Sequence, residues 1–401
     1  MGSFGGLPSC LLDEFYNRAP FADLIRLAQT SPSFNESIRN YMRRPMCIQR
    51  IKEESALSCS EWPSGSDVYR IFGQLMKTAT CTKSTFVRLE WFKKFHKRAC
   101  TVLDDRSGWG RMISTFCSRW DFPECEKMVD YIMEMEDGRI GKAVNKVVDG
   151  ICGSNPVLEM NVRTWLRELF FDQEIADEVE ALYWTAAFVR RVPSVSKQAR
   201  LLMVLYAPTT CEGNGKDIID WKSLCDIAVR SPQDSAARVK PLSDVVIRLH
   251  CAKRLPMFQY DFKDIAMFNL IEEITTCPEP WSFDNFVALL LHQQDLIPLT
   301  LSSRITSTYE EEAGQMVSTM KTLLYRWGSP LSVLEEACRK TMDVLGQEKR
   351  KKFILSISDA HCKAIKDVVT GQGAGLAGDI QEEIIAQANF LPVLAHMTAR
   401  I

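Results

Sequence analysis

The chain has 401 residues, 46% of them apolar and 25% charged, with a net charge of −2 and a sequence pI near 6.3. That length allows two or three domains or one long helical array, and so large an apolar share builds a core without disulfide or metal staples. The charge balance excludes a protein defined by nucleic-acid or membrane-surface electrostatics, and the apolar content excludes a disordered linker.

The first stretch, MGSFGGLPSCLLDEFYNR, has no basic region followed by an apolar run, so no secretory signal is expected. Gly6 stands where a myristoylation pattern needs Ser or Thr. No run approaches the 18 or so apolar residues of a membrane span. The chain is therefore expected inside the cell. Its 14 cysteines, with no CxxC among them, read as thiols that are mostly buried and act as small apolar side chains.

Three short helices are expected over residues 7–41. Leu7 and Pro8 open the first, which places Leu11, Leu12 and Phe15 at i, i+1 and i+4. After a break at Ala19-Pro20, Phe21, Asp23, Leu24 and Leu27 form the second, and Ser31-Pro32 leads into a third through Phe34, Ile38 and Tyr41. A module this small cannot bury all of these side chains by itself, and exposed apolar helical faces mark partner sites.

Helical periodicity then continues nearly to the end of the chain, and strand alternation is almost absent. It predicts helices over 66–80, 84–100, 109–120, 122–136, 139–151, 157–172, 174–190, 194–206, 216–229 and 235–252. Further helices are predicted over 262–276, 282–294, 303–327, 329–345, 348–369 and 379–399. Short breaks rich in Pro and Gly separate them, at 153–156, 208–215, 231–232, 277–280 and 371–378. No fixed period recurs, which argues against regular TPR or ankyrin repeats and leaves an irregular stack of helix pairs. The expected fold class is all-α: an N-terminal three-helix module over 1–45, then a multi-helix, repeat-like body over 46–401.

No catalytic signature stands out. HExxH, GxSxG and GxxxxGK[ST] do not occur. The chain has only five histidines; His250-Cys251 and His361-Cys362 are adjacent on predicted helices and point about 100° apart. Gly373, Gly375 and Gly378 make a literal GxGxxG, but too little chain follows for a dinucleotide-binding βαβ unit, so it reads as a loop between helices. No catalytic residue, cofactor or metal site is expected. Two basic clusters, Lys93, Lys94, Lys97 and Arg98, and then Lys349, Arg350, Lys351 and Lys352, lie on predicted helices as solvated faces. The second also fits a minimal nuclear import pattern. Neither extends far enough for direct nucleic-acid binding to be expected. Ser31-Pro32, Ser231-Pro232 and Ser329-Pro330 read as helix starts.

The N-terminal pattern resembles the F-box: Leu7-Pro8, a hydrophobic helix with Leu12 and Phe15, then Asp23, Leu24 and Leu27, a serine-containing loop and a third helix. It departs from many F-boxes in having Phe34 or Ile38 where the third helix carries a tryptophan. Landmarks along the rest of the chain resemble the F-box only protein 47 family. They are Trp120-Asp121 with Glu124-Cys125, Pro193 with 198–202, and Tyr206 with Pro208. Cys277-Pro278 with Trp281, and 386–390, complete the series.

The resemblance implies a substrate-recognition subunit of an SCF-type E3 ubiquitin ligase, an adaptor without a catalytic site of its own. Leu7, Pro8, Leu11, Leu12, Phe15, Leu24 and Leu27 would form or support the surface facing a Skp1-like protein, which tethers a cullin. The body would recruit a protein substrate that the sequence does not identify. The family association further implies meiotic prophase and chromosome synapsis in the germ line, hence the nucleus with some cytoplasmic presence. The alternative is a non-degradative helical scaffold on meiotic chromosomes.

Overall fold

The computed structural model describes residues 8–58, 67–172, 178–213, 215–370 and 377–399. The described chain is helical almost throughout, as the periodicity predicts. It divides into two compact units, Met1–Ala143 with Asn161–Phe188, and Val144–Met160 with Val189–Ile401.

The first unit begins with α1 (Ser9–Arg18), α2 (Phe21–Thr30), α3 (Pro32–Met42) and α4 (Pro45–Ser58). It continues with α5 (Val68–Thr80), α6 (Thr85–Ala99), α7 (Arg106–Phe116) and much of α8 (Phe122–Asp149). Parts of α9 (Pro156–Leu166) and α10 (Glu178–Arg191) also belong to it, with the π-helical turn Arg167–Phe171 between them. Local chemistry sets the starts: Asp67 accepts from the Tyr69 and Arg70 amides, and Asp105 from that of Gly108. Asp121 and Glu124 cap each other's amides at the start of α8. The core is aromatic. Phe92, fully buried, stacks on Phe116 at 5.6 Å and meets Trp109 and Tyr131 edge-on. Helices α5 and α7 approach closely because Gly73 has no side chain; a Cβ there would stand 2.6 Å from the Met112 carbonyl oxygen.

The second unit contains α11 (Val195–Tyr206), a hairpin of β1 (Thr209–Cys211) and β2 (Asp217–Ile219), α12 (Ser223–Asp226) and α13 (Pro232–Arg238). Then follow α14 (Lys240–Ala252), α15 (Asp264–Thr275), α16 (Phe283–His292), α17 (Leu296–Thr306) and α18 (Glu310–Arg326). The last are α19 (Ser332–Val344), α20 (Gln347–Val369) and α21 (Ala377–Thr398). Alternate helices pack on one another. One row runs α14, α16, α18, α20 and the other α11, α15, α17, α19, α21. That two-row order is how helical solenoids bury a continuous core that no single repeat could close. Helix α16 is apolar nearly all round, with Asn285 to Leu291 buried, as a helix between neighbours must be. Buried Arg304 of α17 ties its neighbours by pairing with Glu272 of α15 at 2.6 Å and with Glu312 of α18.

Several expected boundaries move. Helix α4 lies in a stretch where none is expected, with Cys47, Ile48 and Ile51 buried at i, i+1 and i+4. The helices expected over 122–136 and 139–151 are one, α8, although Gly138 has a φ of 74°. The helix expected over 216–229 is instead β2 and the single turn α12. Fully buried Asn285 explains this. Its Nδ2 donates to the carbonyls of Leu224 and Ile227, and its Oδ1 accepts from the Val229 amide, so those groups are withdrawn from a helical ladder. The helix expected over 303–327 is split between α17 and α18, with Thr308 at a φ of 69° between them. The helix expected over 235–252 is split into α13 and α14. Gly373 and Gly375 lie outside the described residues.

Burial disfavours the charged form of His96, His250, His292 and His361. It lowers the pKa of His96 to about 4 and that of His361 to about 3, the latter with help from Lys321; it also lowers those of His250 and His292. The unfolded chain takes up protons at His96 and His361 near pH 6.5, whereas the folded chain refuses them until much lower pH. Stability is therefore full above about pH 6.5 and falls as pH drops toward 5, approaching about 1.4 kcal/mol per pH unit for each of these two histidines. Urea midpoints measured at pH 7.5, 6.0 and 5.0 should fall in that order, and His96→Gln should flatten the series.

Candidate functional site

The site is built from α1 and α2. Pro8 precedes α1 with ψ at 142°, and its carbonyl accepts from the Leu11 and Leu12 amides, which sets the first turn. Helical spacing then divides the apolar residues of α1. Leu12 and Tyr16 point inward, while Leu11 and Phe15 remain 56% and 42% exposed. In α2, Phe21, Leu24 and Ala28 are buried and Leu27 is half-buried. Phe15, Ala19, Leu24 and Leu27 line an almost wholly apolar hollow of about 320 Å³, with Asp23, Arg26 and Thr30 also on its walls. Asp23 and Arg26 form an exposed ion pair at 3.1 Å.

The platform beneath is well tied. The Tyr41 hydroxyl donates to Asn17 Oδ1 at 3.1 Å, and the Tyr16 and Tyr41 rings lie 5.5 Å apart. Arg50 donates to the Tyr16 carbonyl at 2.8 Å and lays its guanidinium over Phe21 at 4.1 Å. Asp13 is buried and pairs with Arg44 at 2.5 Å; burial still pushes its pKa up against the pull of that cation. Ser31 caps α3 by accepting from the Phe34 amide, which is the helix-start role its sequence predicts. Phe21 packs on Phe72 of α5 at 5.4 Å, so a neighbour covers part of the apolar surface that three helices cannot bury.

The residues expected at this surface thus separate by depth. Pro8, Leu11 and Phe15 are exposed and Leu27 is half-exposed. Leu12 and Leu24 are 9% and 0% exposed and hold the helices rather than offer a face. Leu7 lies outside the described residues. In the third helix Ile38 is core and Phe34 is half-buried.

Elsewhere the expected features are structural. Lys351 and Lys352 are exposed in the first turns of α20, but Lys349 is half-buried and donates to the Thr306 carbonyl at 3.2 Å, and Arg350 donates to the Met342 and Leu345 carbonyls at the end of α19. Lys93 pairs with Glu90 and lies over the Tyr131 ring, and Arg98 donates to the Arg43 carbonyl. Arg190 pairs with Asp261 while Arg200 holds the Val148 and Gly150 carbonyls, so these arginines do not converge on one anion. The described cysteines are not mostly buried: Cys47, Cys117, Cys125 and Cys338 are, whereas Cys10, Cys81, Cys100, Cys211 and Cys362 are exposed. One arrangement was not legible at all. Cys152 and Cys277, distant in sequence, bring their Sγ atoms to 3.8 Å.

A groove of about 800 Å³ runs along α18 and α20, with Glu310, Glu311, Glu312, Lys352, Asp359 and Lys363 on its walls. No helix among the described residues is long and apolar enough to cross a membrane.

Of the landmark residues, the two tryptophans and Phe390 are internal, whereas Asp121 and Pro193 are exposed. Trp120 is buried beneath the Arg88 guanidinium, Trp281 is buried against the Cys277 carbonyl, and Phe390 is fully buried in α21. A family model described as FBXO47, ARM repeats, matches residues 136–401. No curated protein and no solved structure matches the chain. The match begins within α8 and covers the two-row helical stack, so the α1–α2 face stands outside it, on its own sequence pattern and geometry. Matched over most of its length by that model, the chain belongs to the F-box only protein 47 family, with a body of helical ARM repeats.

Proposed function

We propose that the chain is a substrate receptor of an SCF-type ubiquitin ligase. The N-terminal helices, within residues 1–45, dock a Skp1-like protein and through it a cullin, and the body over 46–401 recruits a protein substrate. Other subunits perform the ubiquitin transfer, and this chain acts as the adaptor. The observation that carries the reading is the apolar face of Leu11, Phe15 and Leu27 on a rigidly supported helix pair, in a chain of an F-box family. Apolar anchors of this kind dominate helix-in-groove interfaces, and removing one costs about 2 kcal/mol, a roughly thirtyfold loss of affinity. We further propose that this activity belongs to meiotic prophase and chromosome synapsis in the germ line, in the nucleus with some cytoplasmic presence; of the basic run Lys349, Arg350, Lys351 and Lys352, it is Lys351 and Lys352 that stand exposed to an import receptor.

The test uses the full chain co-expressed with a Skp1-like protein. Wild type should co-purify, and Leu11→Asp with Phe15→Asp should abolish the association while leaving the helical spectrum unchanged, because both side chains already face solvent. Substituting Leu12 or Leu24 would not discriminate, since both are core residues. A wild-type chain that fails to associate would remove the main support for the ligase reading and leave a scaffold that does not engage a cullin.

A further inference from the structure

We infer that Cys152 and Cys277 form a reversible oxidation site, a dithiol that a peroxide converts to an intrachain disulfide within the second unit. This is independent of the ligase reading.

The two cysteines sit on turns that close helices: Cys152 follows α8 and Cys277 follows α15. Their Sγ atoms lie 3.8 Å apart, within hydrogen-bonding contact. A disulfide needs about 2.05 Å, so the two sulfurs have less than about 2 Å to close. Both turns are pinned from several sides. Arg200 of α11 donates to the Val148 and Gly150 carbonyls on one side of Cys152. Buried Glu159 accepts from the Gly153 amide at 2.9 Å on the other side and from Trp221 Nε1 at 2.9 Å. The Cys277 amide donates to the Ile274 carbonyl, and its own carbonyl accepts from Trp281 Nε1. Thiols held in this way meet far more often than two cysteines on free loops.

The surroundings favour one thiolate. The two thiols share one S–H hydrogen bond, and with the Arg200 cation this brings Cys152 down to about 7 against burial and the Glu159 carboxylate; Cys277 is pushed up by the same contact and by burial. Arg200 Nε is buried with no acceptor among the described residues, a donor better matched to an anion than to a neutral thiol. Both cysteines are only partly buried, so a molecule as small as hydrogen peroxide reaches them.

The chemistry balances. The Cys152 thiolate attacks one peroxide oxygen, the S–O bond forms, the O–O bond breaks, and hydroxide leaves. Cys277 sulfur then attacks the Cys152 sulfenic acid; the S–S bond forms, the S–O bond breaks, and the second oxygen departs as hydroxide. The hydroxides take up the Cys277 proton and the proton released when Cys152 ionised. Two thiols and one peroxide give a disulfide and two waters. The product ties the turn after α8 to the turn after α15.

The test exposes the full-length chain to hydrogen peroxide, blocks remaining thiols, digests without reductant and maps the peptides by mass spectrometry. A linked pair containing Cys152 and Cys277 should appear before the exposed Cys81, Cys100 and Cys211 are oxidised, and should revert with dithiothreitol. In Cys277→Ser, Cys152 should instead be trapped as a sulfenic acid by dimedone, and Cys152→Ser should yield neither product. Oxidation of the exposed cysteines while Cys152 and Cys277 stay reduced would overturn the proposal.

Discussion

Lys321→Met should lower the stability of the second unit by about 3–5 kcal/mol, the usual result of removing one partner from a buried ion pair. The Lys321 side chain is fully buried in α18, and its Nζ donates to Glu383 Oε1 at 2.5 Å and to Gln387 Oε1 at 2.8 Å. Gln387 passes the pattern on: its Nε2 lies 2.9 Å from His361 Nδ1 and can only donate, so the imidazole carries its proton on Nε2. Thr322 donates to the second Glu383 oxygen at 2.6 Å. Helices α18, α20 and α21 therefore share one polar network. Burial lowers the Lys321 pKa and the Glu383 carboxylate opposes that shift, so the cation is present because its partner is. Methionine fills the same space but leaves Glu383 charged and unpaired. Denaturant unfolding and hydrogen exchange should both show loss of protection concentrated in α21. Adding Glu383→Leu should restore most of the stability, since a well-packed apolar pair costs no desolvation of charge. Wild-type protection of α21 in Lys321→Met would mean that the network contributes little.

Phe72→Ala should cost about 3–5 kcal/mol and should also weaken binding of the Skp1-like partner, although Phe72 never reaches the surface. Its ring lies 5.4 Å from Phe21 of α2 and 5.3 Å from Phe95 of α6, so it is the contact by which α2 rests on the first unit's core. Removing it opens a cavity under the helix that carries Leu24 and Leu27. The α1–α2 face then loses its fixed geometry, and part of the binding energy goes to reordering it. Thermal melting and titration with the partner should both report the loss. Phe86→Ala, at a residue 71% exposed, should change neither. A destabilised Phe72→Ala chain with unchanged affinity would show that the docking face holds its shape without that support.

Much of the architecture was legible because helix formation is local. The helix predicted over 84–100 is α6, which buries Leu89, Trp91, Phe92 and Phe95, and the run predicted from Ser194 is α11, where Ser194 accepts from the Lys197 amide. The split of α1 into a buried and an exposed side also follows from spacing, which set Leu11 and Phe15 apart from Tyr16. The pattern did not say which side would be covered. Leu12 and Leu24 fit the docking motif as well as Leu11 does, and only the packing of α3, α4 and α5 places them inside.

Sequence by itself determined the class of fold, the order of most helices and the presence of an apolar N-terminal helix pair, because these depend on residues within a turn or two of one another. Tertiary structure alone decided where Asn285 stops a helix sixty residues away, how Lys321 is neutralised, and that Cys152 meets Cys277. In each case a polar group is satisfied by a partner distant in the chain, and no local periodicity carries that information. The same distinction bears on the proposed docking face: spacing along the chain grouped its apolar residues, and burial leaves Leu11 and Phe15 exposed and Leu27 half-exposed.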